Sequence, residues 1–418
     1  MHLNGCDYLM LGFDHELRRA GFAGNLCQIV LELGSTISPE ALKARLNSLA
    51  NHYPILRARP GGMWNPKWKS ARRAPVAQVR VHRDTPALGE DLFNQRLAMN
   101  RGELLRFDLI ERKEGRTSVI FTWTHALMDA PGAEYFLALA GDSELPLPDT
   151  QLSRPRRPQR PLKERVKRAW KYLDQMDELC KAAPRALGVR HPHAQRRLCH
   201  RVEKFSAEET ERIRANSARH CGVLGDAQYH AAVSAAELHQ LHQRLGRTSP
   251  SYVLPVPVGL RLKGSLEPLF GNQVSMLMFQ FLPEHLDSVA SAVGALKKQM
   301  AQAMRADLLE NGRILSELFR FLPLPLYMAI LKQGLHGEIC SLFYGDTNAV
   351  NPRLLSFQGA PVEDFAHLTA VTPSPGLGVL FYYFRGSLRV TILHSARVLT
   401  DGEAAEFAAR LRKRLLSP

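Results

Sequence analysis

The sequence predicts a mixed α/β protein built in two halves, and three observations carry that expectation. Short runs rich in β-branched and aromatic residues recur between longer stretches of helical periodicity. A proline-rich, strongly basic segment at 151–205 separates one such series from a second. The chain has 418 residues, enough for two ordinary domains and a large core.

In the first half, residues 25–33 (NLCQIVLEL) read as a strand. Ser38 and Pro39 then suit the cap and first turn of a helix. Leu42, Leu46 and Leu49 give that helix one apolar stripe. It should end near His52 and Tyr53, because the residue before Pro54 avoids helical geometry. Residues 75–82 alternate as a strand. Two more strands, 104–111 and 117–124, flank the hairpin signal Lys113-Glu114-Gly115-Arg116.

The stretch 117–132 (TSVIFTWTHALMDAPG) organises this half. Its first eight residues are β-branched and aromatic, and read as a largely buried strand that runs into His125. Asp129 follows four residues later, and Pro131 suits the first turn of a helix through 134–140. An imidazole at a strand end is held rigidly, can face a cleft and can take a proton at neutral pH. Three readings of His125 and Asp129 stand open. One is a backbone-satisfied histidine beside a helix-capping aspartate. The second is a metal-binding pair at i, i+4, which needs a helix where the pattern shows a strand. The third is a general base with a carboxylate that shapes its loop.

Segment 151–205 holds 16 lysines and arginines against five acidic residues, so it carries most of the chain's net charge of +15. Its first part, SRPRRPQRP, cannot be regular structure. A helix is predicted over 162–180. Leu162, Val166, Ala169, Leu173, Met176 and Cys180 fall on one side, and Lys163, Lys167, Arg168 and Lys171 largely on the other. This is either a linker helix with a solvated basic face or a docking surface for an anionic membrane or acidic partner. Nucleic acid is disfavoured, because aromatics barely interleave with the charges.

Beyond 205, Ser206 and Glu209 form a capping-box pattern. A longer helix follows at 226–245, carrying His230, His239 and His242 as ordinary helix residues. Strands are predicted at 251–258 and 275–281, then a helix at 286–304. An antiparallel series follows at 365–371, 378–384 and 388–394, and a closing helix at 404–415.

Composition narrows the function classes. The six cysteines are scattered, without a CxxC pair or zinc-like spacing, which suits a reducing compartment. The N-terminus lacks a signal-peptide pattern, and no apolar run approaches the ~18–20 residues that span a bilayer. A cytoplasmic protein is expected, with peripheral membrane contact open. No phosphate-binding glycine loop and no GxSxG turn occurs.

With these landmarks in order, the chain resembles the chloramphenicol acetyltransferase-like superfamily. It is most similar to nonribosomal peptide condensation domains and to wax ester synthase/diacylglycerol acyltransferases. His52-Tyr53-Pro54-Ile55-Leu56-Arg57 resembles a family stretch after the first helix, and Thr124 to Asp129 stands at the HHxxxD motif. Val223-Leu224-Gly225-Asp226, Val256 to Arg261, Phe270-Gly271-Asn272 and 341–351 resemble later segments. Two departures are visible. Thr124 replaces the first histidine, and Ala130 replaces the glycine after the aspartate, with Gly132 two residues on. A DFGWG-like motif, typical of the plant branch, is missing.

The resemblance implies two similar lobes, each a mainly antiparallel sheet packed by helices, meeting in a V around a tunnel. It divides the chain into an N-terminal lobe (1–150), a basic linker (151–205) and a C-terminal lobe (206–418). It implies acyl transfer from a coenzyme A or carrier-protein thioester to a hydroxyl or amine, with His125 as general base. Asp129 and Arg261 would be a structural ion pair. Thr124, Gly132 and Asn272 would bind substrate or the oxyanion. No metal or redox cofactor is implied, and the protein is expected to act as a monomer. A non-catalytic lipid- or carrier-binding descendant is the alternative, motivated by Thr124 and Ala130. A basic scaffold acting through 151–205 is a third.

Overall fold

The computed structural model describes residues 2–62, 66–70, 77–85, 87–148, 160–222, 225–261, 268–333, 335 and 337–417. The proline-rich stretch before 160, Val223, Leu224 and the first residues of the strand expected at 75–82 lie outside them.

Two sheets and two hydrophobic cores organise the described residues. The first sheet has six strands in the order Ser356–Phe357, Ala360–Thr369, Leu26–Leu33, Thr117–Thr124, Leu105–Glu111, Gln78–Arg83. Every residue of Thr117–Thr124 is buried, as its unbroken β-branched and aromatic run requires. Phe121 stacks between Phe107 and Trp123, with ring centroids 4.7 and 5.1 Å away. The second sheet runs Phe343–Ala349, Leu377–Phe384, Ser387–Ser395, Leu198–Lys204.

The antiparallel series expected near the C-terminus is divided between the sheets. Leu377–Phe384 and Ser387–Ser395 form a hairpin in the second sheet. Ala360–Thr369 crosses over and pairs antiparallel with Leu26–Leu33 of the first. Local pattern shows that a segment is a strand, but not which sheet receives it. The second half thereby lends a strand to the sheet that carries His125. A third, two-stranded ribbon, Tyr252–Gly259 with Val274–Phe281, pairs separately.

Among the described residues, four α-helices lie beyond those read from the sequence: Gly5–Arg19, Leu88–Phe93, Leu308–Phe319 and Leu324–Gln333. The first opens with a reciprocal capping box between Asn4 and Asp7. Leu162–Lys181 is a helix, but its apolar stripe is split. Ala169 and Cys180 are buried, whereas Leu162, Val166 and Trp170 face solvent.

Candidate functional site

Strand Thr117–Thr124 delivers His125 to the end of the first sheet, where the chain turns before helix Ala130–Gly141. Backbone and side-chain hydrogen bonds tie the turn down at several points. Thr124 donates its amide to the carbonyl of Leu104, and His125 to that of Asn25. Trp123 Nε1 donates to the carbonyl of Met128 (3.0 Å).

Asp129 caps the helix that follows and does not point at His125. Its Oδ1 accepts from the amide of Gly132 (3.1 Å) and from Arg261 Nη2 (2.5 Å). Its Oδ2 accepts from the amide of Gln273 (2.8 Å). One carboxylate thus fixes a helix start, an ion pair and a loop from the second half. Arg261 in turn donates to the carbonyl of Pro268.

The loop that receives these bonds is equally constrained. Gly271 has φ +86°, a left-handed conformation suited to glycine, and its amide donates to the carbonyl of Leu127 (2.8 Å). A Cβ on Gly132 would stand 2.5 Å from the carbonyl oxygen of Leu269, so only glycine permits this approach. Asn272 uses its side-chain N–H groups on the carbonyl of His125 (2.9 Å) and on Asp7 Oδ1 (2.9 Å). Asp7 also accepts from the amide of Asn272 (2.7 Å). Burial pushes the Asp7 carboxyl up to about 7, against the donors Asn272 and Asn4, which pull it down.

His125 itself is half-buried, and its Nδ1 has no hydrogen-bond partner among the described residues. Burial holds its pKa below the ordinary value near 6.5; its own carbonyl, Asp129 and Asn272 act the other way. The imidazole is therefore neutral at pH 7, with a lone pair to offer. A second imidazole, His367 on the crossing strand, is fully buried, and burial together with His125 drives it down to about 3.

The structure brings all six sequence-derived residues, His125, Asp129, Arg261, Thr124, Gly132 and Asn272, into this knot. Two of them are occupied otherwise than an oxyanion or substrate role needs. The Gly132 amide is committed to Asp129, and the Asn272 donors to His125 and Asp7. Thr124 Oγ1 is buried without a hydrogen-bond partner among the described residues. Sequence reasoning missed Asp7, Asn4 and Gln273. The Asn4-x-x-Asp7 spacing before an apolar run was the available signal, a capping-box pattern.

A cavity of about 1370 Å³ adjoins the knot. Its walls come from both halves, including Cys6 and Phe13, Tyr172 and Met176, Met276, and Phe319. Asn272 and Gln273 lie on this lining; His125 does not. Asn272 thus links the cavity wall to the backbone of His125.

No protein-family model matches the sequence, and no curated protein matches it. Solved structures do. The first condensation domain of the calcium-dependent antibiotic synthetase, with a substrate analogue bound, aligns at TM-score 0.73 and 14% identity. That alignment covers 100% of this chain and 95% of the other. The fold is that of a condensation domain. Trichothecene 15-O-acetyltransferase TRI3 from Fusarium sporotrichioides shares the condensation-domain fold too, at TM-score 0.73, 12% identity, and 100% and 94% coverage. So does the condensation domain of the monacolin K polyketide synthase MokA, at TM-score 0.63, 12% identity, and 99% and 96% coverage. These are two-lobed members of the chloramphenicol acetyltransferase-like superfamily.

Proposed function

We propose that this protein is an acyltransferase of the condensation type, working from a coenzyme A or carrier-protein thioester. The observation that carries this reading is the division of labour at the turn. Asp129 is turned away to Arg261, Gly132 and Gln273, while His125 keeps a neutral imidazole with an uncommitted Nδ1, its carbonyl held by Asn272 on the wall of a large cavity. In this reaction His125 takes the proton of an acceptor hydroxyl or amine as its oxygen or nitrogen attacks the thioester carbonyl. The tetrahedral intermediate collapses, the carbon–sulfur bond breaks, and the proton returns to the leaving thiolate. With the Gly132 amide committed, the Thr124 hydroxyl is the oxyanion donor from this set. Asn272 positions the base through its carbonyl, its side-chain N–H groups being committed to His125 and Asp7.

The lining of the cavity favours an apolar acyl chain or acceptor: methionines 276 and 278, Phe319, Leu331, Ile339 and Phe343 share it. Helix Leu162–Lys181 forms one wall through Tyr172, Leu173 and Met176. Its outer face carries the exposed Lys163, Lys167 and Lys171; Leu162 and Val166, exposed on the side of Leu173, and Trp170, at the cavity's edge, border it. That face suits an anionic membrane surface, from which a lipophilic substrate would reach the cavity directly. Among the described residues, no helix is long and apolar enough to cross a membrane. The protein is proposed to act as a cytoplasmic monomer.

Incubation with acyl-CoAs and acyl-pantetheine carriers, against a panel of alcohols and amines, tests the proposal. Thioester loss with a matching ester or amide product supports it. Tight binding of the acyl thioester without product, for wild type and His125→Ala alike, would leave the non-catalytic binding module. That second reading is favoured by the absence of His125 from the cavity lining.

A further inference from the structure

We propose that Cys199, His394 and Asp401 form a binding site for a single zinc ion, on the second sheet and apart from His125. Cys199 and His394 are direct partners in the antiparallel pairing of Leu198–Lys204 with Ser387–Ser395. Side chains directly opposite in such a pair share one face, with Cβ atoms about 4.5–5.5 Å apart. The neighbouring His200 belongs to the opposite face and packs edge-on against Phe93. Just past His394 the chain turns into helix Asp401–Leu416, whose first residue is Asp401. The fold thereby gathers thiol, imidazole and carboxylate, with one ligand atom of each within 4.8 Å of the others. Around a tetrahedral zinc with bonds of about 2.0–2.3 Å, ligand atoms stand roughly 3.3–3.8 Å apart, so small side-chain rotations close the set.

The second observation is at His394. It is 2% exposed, and neither ring nitrogen has a hydrogen-bond partner among the described residues. Its Nε2 stands 3.4 Å from Asp401 Oδ1, long for a charge-assisted bond. Buried polar groups are usually satisfied, so an imidazole orphaned on both sides and aimed at a thiol and a carboxylate calls for a ligand.

The chemistry selects zinc. Sulfur, nitrogen and oxygen donors together disfavour magnesium and calcium, which require oxygen. One thiolate and one carboxylate neutralise the dication. Nearby, Arg197 is already paired with Glu90 (2.6 Å) and Asp91 (3.7 Å). Binding releases the Cys199 thiol proton to solvent as the sulfur–zinc bond forms. Asp401 is exposed and gives the ion its way in; a water completes the fourth position. The ion would clip strand Leu198–Lys204 and its neighbour to the start of the closing helix.

The test uses the full chain, stripped by a chelator and titrated with cobalt(II). A single equivalent should bind with a thiolate-to-cobalt charge-transfer band, which zinc(II) should bleach by displacement. Cys199→Ser should remove the band, while Cys221→Ser retains it. Asp401→Asn, at an exposed position, should weaken cobalt binding at least about tenfold. No band, or a band that survives Cys199→Ser, overturns the site. Should Cys199→Ser fail to fold, unchanged affinity in Asp401→Asn overturns it equally.

Discussion

His125 and His230 each lie beside an aspartate, and the two aspartates do opposite things. His230 is fully buried in helix Asp226–Arg244, with Nδ1 2.9 Å from Asp346 Oδ2. Its ring stacks on Phe381, centroids 4.3 Å apart. That imidazole is closed in by its carboxylate and by an aromatic face. At the other site, Asp129 bonds to Arg261, Gly132 and Gln273, and His125 is left with an uncommitted Nδ1. His230, bonded directly by its aspartate and stacked on Phe381 inside the second core, is enclosed there, although its Nε2 has no partner among the described residues. A histidine whose aspartate braces the loop around it keeps a lone pair for chemistry.

The largest effect expected from breaking this contrast is at the brace. Asp129→Ala removes one partner of a nearly buried ion pair and should lower stability by about 3–5 kcal/mol, with activity lost alongside. Chemical denaturation measures it, and an unchanged unfolding midpoint would refute the bracing role. Next, His125→Ala should lower turnover at least about 10²-fold while leaving the melting temperature close to wild type. Near-wild-type acyl transfer would sink the assignment of the base. Because burial depresses the pKa of His125, the wild-type acid limb of kcat/KM should have its midpoint below 6.5. Protonation switches the base off, so activity falls as pH drops through that value; a midpoint above 6.5 contradicts the depressed pKa.

A smaller effect sharpens the comparison from the other side. His230→Ala removes one partner of Asp346, which keeps the Asn348 amide, and should destabilise by about 1–3 kcal/mol, with turnover within a few-fold of wild type. Loss of turnover without loss of stability would erase the distinction between the two histidines. The smallest effect belongs to the outer face of helix Leu162–Lys181. Each of Lys163, Lys167 and Lys171 should contribute about 1 kcal/mol to binding anionic vesicles, and the binding should weaken with salt. Co-sedimentation that is equal on neutral and anionic lipid would reduce this helix to a cavity wall.

Much of the first sheet was legible because its strands are strongly patterned. The run Thr117–Thr124 is apolar on both faces, and a central strand covered on both sides demands that. The caps of Ser38 and Ser206 are local signals and appear where the sequence puts them, accepting from Ala41 and Glu209. The ion pair between Asp129 and Arg261 was legible only through the order of landmarks along the chain, since nothing local links the two positions.

Tertiary structure decided the rest, and the reason is the same in each case. Hydrogen-bonding capacity and periodicity are properties of a segment, whereas partners are properties of the whole packed chain. Residues 365–371 announce a strand, but only packing sends Ala360–Thr369 to Leu26–Leu33 and away from the hairpin that follows it in sequence. Gly132 and Asn272 offer N–H groups on paper; the fold commits them to Asp129, Asp7 and His125. The apolar stripe of Leu162–Lys181 reads as one face, yet the helices beside it cover only part of its length. Cys199, His394 and Asp401 carry no spacing that points to a metal, because a strand pairing and a turn, not a motif, bring them within reach.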